Sequence, residues 1–204
     1  MKYIFIIGAV LLSIICISTM TGTNYYQTLT DQRISSDTTT IFISSTRELK
    51  SGLIPDSVFQ MTNLRHLSIQ GMDCDYRIRD DKGNDITKCW MIGEIPSKIK
   101  NLKKLEFLQL NVNAISAIPI ELAELKYLKT LDLTDNLNLS NIDVIVKLEN
   151  LEDLSLNGCN IRKLPEKIEQ LKKLKALGLS GNPIEQKEKD RIKKSLPNCR
   201  IYFD

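Results

Sequence analysis

His66 is the only histidine in a chain of 204 residues. Chemistry that needs imidazole as a base or metal ligand therefore has one candidate and no second ring to pair with it. The five cysteines include no CxxC, and GxxxxGK[ST], GxGxxG and HExxH are absent. The shortest routes to zinc, nucleotide-dependent or hydrolytic chemistry are missing, and the sequence assigns no catalytic residue, no metal and no cofactor. Asp80, Asp81, Asn84 and Asp85 cluster without the spacing of a calcium loop and read as a solvated turn. The expectation is a protein that is not an enzyme.

Cys74 and Cys89 are the pair whose spacing does imply a bond. They stand equally far from the midpoint between Asp81 and Lys82, inside the turn-forming run DDKGND, and the flanking residues 76–79 and 86–90 read as the strands of a hairpin. Folding there sets the two cysteines opposite each other, as a cross-strand disulfide requires. Such a bond persists in an oxidising compartment, and the amino terminus points to one. Lys2 precedes an apolar run at 4–17, broken by Gly8 and Ser13, which has the length of a signal-peptide core and is short for a bilayer span. Residues 1–18 read as a signal peptide or a membrane anchor. Lipidation at Cys16 is opposed by the bulky Ile15 before it. Each reading exports the rest of the chain to a secreted, periplasmic or cell-surface location, with membrane contact only through that segment if it is uncleaved. Residues 19–40, rich in Thr, Ser, Asn and Asp, read as a flexible linker.

The remaining sequence must supply the elements that position any site. Lys and Arg number 28 against 25 Asp and Glu, a net charge of +3. That balance lacks the field that drives phosphate binding, so nucleic acid is not an expected partner. Leu (28) and Ile (26) far outnumber Val (5) and Ala (5), which points to large aliphatics recurring at fixed places. They do recur. LRHLSIQGM (64–72), LEFLQLNVN (105–113), LKTLDLTDN (128–136), LEDLSLNGC (151–159) and LKALGLSGN (174–182) all read LxxLxLxx plus one further residue, and the last four are spaced by 23. The first offset is 41, or 23 plus 18, so one repeat carries an insertion at 73–90. Before each segment an apolar triad recurs at i, i+3, i+6, such as Leu122, Leu125 and Leu128, which is one face of a short helix. Pro55, Pro96, Pro119 and Pro165 precede four of these triads, where a missing N–H costs nothing.

These segments resemble the leucine-rich repeat family, whose LxxLxLxxN/CxL signature they match along roughly residues 41–204. The 23-residue period and the pairs Ile118-Pro119 and Leu164-Pro165 are similar to the Ras-suppressor type of repeat, while Ile-Gly-Glu-Ile-Pro at 92–96 resembles the plant receptor variant. The resemblance implies an α/β solenoid with a parallel concave sheet, short convex helices and, here, one hairpin insertion. It also implies a binding module, without naming the partner.

Within each strand two Leu alternate with outward residues. Asn113, Asn136 and Asn182, with Cys159 and Met72, fall in one column where a buried amide satisfies the backbone of the following turn. Leu196, Cys199, Ile201 and Phe203 repeat the strand spacing 22 residues after Leu174 and, with a polar helix at 185–194, close one end of the stack. Cys199 is expected as a buried strand residue there. Residues 41–59, opening with a strand at 41–43, close the other end.

The outward columns are the candidate binding surface. They are His66, Phe107, Thr130, Asp153 and Ala176; Ser68, Gln109, Asp132, Ser155 and Gly178; and Gln70, Asn111, Thr134, Asn157 and Ser180. The proposed ligand contacts are the first four of each set. This surface is polar, small and nearly uncharged, and it suits another protein or a surface glycan. His66 and Phe107 make its aromatic spot. Helix-side charges such as Lys98, Lys100, Lys103 and Lys104 read as a solvated face. The alternative is a structural envelope or surface component with no dedicated ligand.

Overall fold

The computed structural model describes residues 14–16, 39–43, 52–71, 73–79, 82–83 and 85–204. The signal or anchor reading at 1–18 and the linker reading at 19–40 otherwise fall outside the described residues, as does the ladder position of Met72. Among the described residues no helix is long and apolar enough to cross a membrane.

The strands are β1 (Ile14–Cys16), β2 (Thr40–Ile43), β3 (His66–Ile69), β4 (Asp73–Arg79), β5 (Asp85–Trp90), β6 (Phe107–Gln109), β7 (Thr130–Asp132), β8 (Asp153–Ser155), β9 (Ala176–Gly178) and β10 (Arg200–Tyr202). β4 and β5 pair with each other, antiparallel, and the rest form one parallel sheet in the order β1-β2-β3-β6-β7-β8-β9-β10. Of its strands, β2, β3 and β6 to β9 alternate with short turns of 3-10 helix, and an α-helix leads into β10. Register is strict: Leu67, Leu108, Leu131, Leu154 and Leu177 face one another across successive strands. All five are buried, as is the second column Ile69, Leu110, Leu133, Leu156 and Leu179. Neither column can be covered by its own repeat, so the hydrophobic gain appears only on stacking.

The elements opposite the sheet correct the expectation of short convex helices. Asp56–Gln60, Ser97–Asn101, Ile120–Glu124, Asp143–Lys147 and Ile168–Gln170 are 3-10 turns. The physical reason lies in the triads, whose strict three-residue spacing is the 3-10 period rather than the α period. The N–H of Leu122 donates to Pro119 O, that of Leu125 to Leu122 O and that of Leu128 to Leu125 O. The same bonds recur at Val58, Ile99 and Ile168, each starting from a proline carbonyl. Ile142 takes the proline's place in the remaining repeat. One true helix is present among the described residues, α1 (Gln186–Ser195), with Ile192 buried beneath it.

Both ends differ in detail from the sequence expectation. β2 starts at Thr40, so Thr40 and Phe42 join the outward columns beside His66 and Ser68. At the other end Ile201 faces Leu177, an offset of 24 rather than 22 (201 − 177). Cys199 therefore precedes the last strand instead of lying in it, and it is only half-buried. The longer chain excursion through α1 is what shifts the register.

Candidate functional site

The buried amides hold the turns that leave each strand. Asn136 Oδ1 accepts the N–H of Ile115 at 3.0 Å, while its Nδ2 donates to Leu110 O at 2.9 Å and Leu133 O at 2.8 Å. Asn113 repeats this with Ile92 N–H and the carbonyls of Ile69 and Asn111, and Asn182 with the N–H groups of Cys159 and Ile161 and the carbonyls of Leu156 and Leu179. Cys159 takes its place in the same column, its thiol 3.1 Å from Leu133 O, and burial pushes that thiol up to about 11. One residue before the ladder, the backbone turns left-handed at Val112, Asp135, Gly158 and Gly181.

This scaffold presents the outward columns in the predicted register. Thr40, His66, Phe107, Thr130, Asp153, Ala176 and Arg200 form one row, and Phe42, Ser68, Gln109, Asp132, Ser155, Gly178 and Tyr202 the next. His66, Gln70 and Asp153 are exposed. Phe107, Gln109, Asn111, Thr130, Asp132, Thr134, Ser155 and Asn157 are half-buried, and Ser68 is buried.

Many of these polar groups are engaged with one another. Ser68 Oγ donates to Gln109 Oε1 at 2.8 Å, and Gln109 Nε2 donates to Asp132 Oδ2 at 3.2 Å. Asp132 Oδ1 also accepts the Thr134 N–H at 2.9 Å. Thr134 and Ser155 share a hydroxyl bond of 2.8 Å, Asn157 Nδ2 donates to Ser155 Oγ at 2.9 Å, and Asn157 Oδ1 accepts the Ser180 N–H at 2.9 Å. Ser68 contributes through this chain of bonds and not as an exposed contact.

At the amino-terminal end the same face carries a shallow, open cavity of about 340 Å³ lined by Thr40, Ile41, Phe42, His66, Ser68, Phe107 and Gln109. The His66 and Phe107 rings stand 6.0 Å apart and tilted by 38°. Sequence reasoning found His66 and Phe107 but missed Phe42 and Thr40. The alternation Thr-Ile-Phe-Ile at 40–43 was the available signal.

A second feature escaped the sequence reading. One residue before each strand stand Arg65, Glu106, Lys129, Glu152 and Lys175, alternating in sign along the rim. Glu106 bonds both Arg65 and Lys129, the latter at 2.8 Å, and Glu152 pairs with Lys175. Hydrogen bonds from Lys129 and Arg65 hold the Glu106 carboxyl below the usual carboxylate range. In the sequence these residues lie 23 or 41 apart, so only the columnar register reveals the alternation.

The family model for Leucine Rich Repeat matches residues 150–171. That stretch is a leucine-rich repeat, and the 23-residue register carries the same pattern through the neighbouring turns. Among solved structures, a leucine-rich repeat protein of Leptospira interrogans is 25% identical with a TM-score of 0.55, the match covering 82% of this chain and 49% of that one. An internalin of Listeria monocytogenes is 23% identical with a TM-score of 0.50, covering 78% of this chain and 48% of that one. The chain thus spans about half the length of each. No curated protein matches the sequence. Leucine-rich repeats are in general protein- or peptide-binding modules and typically not enzymes.

Proposed function

We propose that this chain is an exported recognition module that binds another protein through the outward face of its parallel sheet, at the end where Phe42, His66 and Phe107 line the cavity. The cavity carries the reading. A solvated sheet face needs no concave apolar site, whereas a binding face gains from one rimmed by a few placed polar groups. Export rests on the Lys2 and 4–17 pattern. A cleaved or membrane-held product in the envelope or medium supports it, and a soluble cytoplasmic chain retaining Met1 defeats it.

The repeats are read as the Ras-suppressor type, and 73–90 as an inserted hairpin closed by a Cys74–Cys89 disulfide. In support, β4 and β5 pair with Cys74 directly across from Cys89, after which the register shifts between Asp75 and Ile78. Mass mapping of non-reduced protein from its native compartment is expected to yield one peptide pair containing both cysteines, and two free thiols there would remove the bridge.

The binding test is affinity capture with the full chain from its own compartment, run beside Phe107→Ala and Lys103→Ala chains. Lys103 lies on the opposite side, paired with Glu124 at 2.7 Å. A partner lost by Phe107→Ala and kept by Lys103→Ala supports the reading. A partner indifferent to Phe107→Ala but lost when Tyr76 or Trp90 is replaced moves the site to the hairpin.

A further inference from the structure

The outward face carries a charge that the chain as a whole does not. From Thr40 to Ser180 none of its column positions is Lys or Arg, while Asp132 and Asp153 are both carboxylates; the row's one cation, Arg200, stands two strands beyond Asp153 at the far end, bonded to the Tyr202 hydroxyl at 3.4 Å. The nearest cations are already engaged on the rim, Arg65 and Lys129 with Glu106 and Lys175 with Glu152. A chain of net charge +3 thus shows an acidic strip beside an apolar cavity. Asp153 is exposed, and Asp132 keeps acceptor capacity beyond its bonds to Gln109 and the Thr134 N–H.

Building on the strand-face reading, we propose that the ligand is an extended, cationic peptide segment. One aromatic or large aliphatic side chain seats between Phe42, His66 and Phe107, and a Lys or Arg three or four residues along meets Asp153 and Asp132. The spacing follows from the sheet. Phe107 and Asp153 are two strands apart, and His66 and Asp153 three. At about 4.8 Å per strand these spans are roughly 10 and 14 Å. A polyproline-like chain presents residues i and i+3 on one side about 9 Å apart, and a fully extended chain presents i and i+4 about 13 Å apart. Both fit. A neutral glycan can stack on the rings and donate hydroxyls to the carboxylates but brings no cation, so it is the charge of Asp132 and Asp153 that selects a cationic peptide.

The test is selection of a displayed random peptide library on the immobilised full chain, followed by titration of one enriched synthetic peptide. Enriched sequences are expected to pair an aromatic or large aliphatic residue with Lys or Arg three or four positions away. The synthetic peptide should lose about tenfold in affinity on Phe42→Ala and again on Asp153→Asn, the latter loss shrinking at high salt. Asp153→Lys should turn the selection toward Asp or Glu at that position. Asp153 is exposed, so its variants are expected to fold, and thermal melts check them together with Phe42→Ala, whose ring is half-buried. Enriched acidic or uncharged peptides that still need Phe107 would overturn the cationic assignment while leaving the strand-face reading intact. Peptides indifferent to Phe42, Phe107 and Asp153 would defeat both. Self-association abolished by Asp153→Lys would make a second copy the occupant and overturn the peptide assignment.

Discussion

The two halves of the outward face use the same backbone differently. Between β2 and β6, aromatic side chains stand apart and leave a cavity. Between β7 and β9 the side chains are short and close on one another, Thr134 with Ser155, Asn157 with Ser155 and with the Ser180 N–H. Gly178 belongs to this closed half, since a Cβ there would come within 2.8 Å of the Asn157 amide. Polar groups that satisfy one another gain little from a ligand, because a new bond must replace an old one. The difference teaches that one solenoid face can be open at one end and largely self-sealed at the other, where the exposed Asp153 and the spare acceptor capacity of Asp132 stay outside the closed network.

Asn136→Ala should act on both halves and have the largest effect, because its amide joins the turn after β6 to the turn after β7. The Leu110 carbonyl and the Ile115 N–H lose the amide in the interior and Leu133 O keeps only the Cys159 thiol, for a destabilisation of about 3 kcal/mol, read from denaturant melts. A loss below about 1 kcal/mol would mean that the ladder amides are dispensable.

A pair of substitutions separates the halves. Phe107→Ala should cost at least about tenfold in partner affinity, or about 1.4 kcal/mol, with little change in melting temperature. Gly178→Leu should do the reverse, lowering stability by about 1 to 2 kcal/mol through the clash at Asn157 while leaving affinity unchanged. Equal effects of the two on binding would erase the distinction.

Val112→Gly probes the boundary of the open half. Val112 is the one β-branched residue among the described left-handed positions, at φ 56°. Relieving that conformation should stabilise the chain by up to about 1 kcal/mol, offset in part by the greater freedom of unfolded glycine. Calorimetry of the variant against the parent chain decides the sign.

The smallest effect is expected at the rim. The folded Glu106 carboxyl titrates below its unfolded value because Lys129 and Arg65 hold its charged form. Its contribution is therefore present above the unfolded carboxylate range and lost as pH falls through the lowered folded value. The pairs are partly exposed, so the contribution is under about 1 kcal/mol and weakens with salt. Comparing melts of the parent and Glu106→Gln chains from pH 7 downward should show the gap between them closing in acid.

The interior of the repeat region was legible because parallel stacking in register converts a 23-residue period into a spatial column. Leu108, Leu131, Leu154 and Leu177, the amides of Asn113, Asn136 and Asn182, and the outward rows could all be read by adding 23. The triads also contained their answer, since i, i+3, i+6 is a 3-10 spacing, yet reading it as helix ignored that distinction. What escaped lies where the period fails. Thr40 and Phe42 reach the row beside His66 and Ser68 through an offset of 26 (66 − 40 and 68 − 42), and Ile201 reaches Leu177 through 24 (201 − 177). Neither value belongs to the repeat.

Sequence alone therefore determined the solenoid, its buried columns and the identity of most outward residues, because those depend on local alternation and a constant repeat length. Tertiary structure decided the rest. It set Phe42 against His66 and Phe107 to make a cavity, joined Thr134 to Ser180 into a closed network, and aligned the rim charges with alternating sign. Each of these depends on which side chains meet across strands and how the chain turns at its ends, and that geometry is settled only when the stack closes.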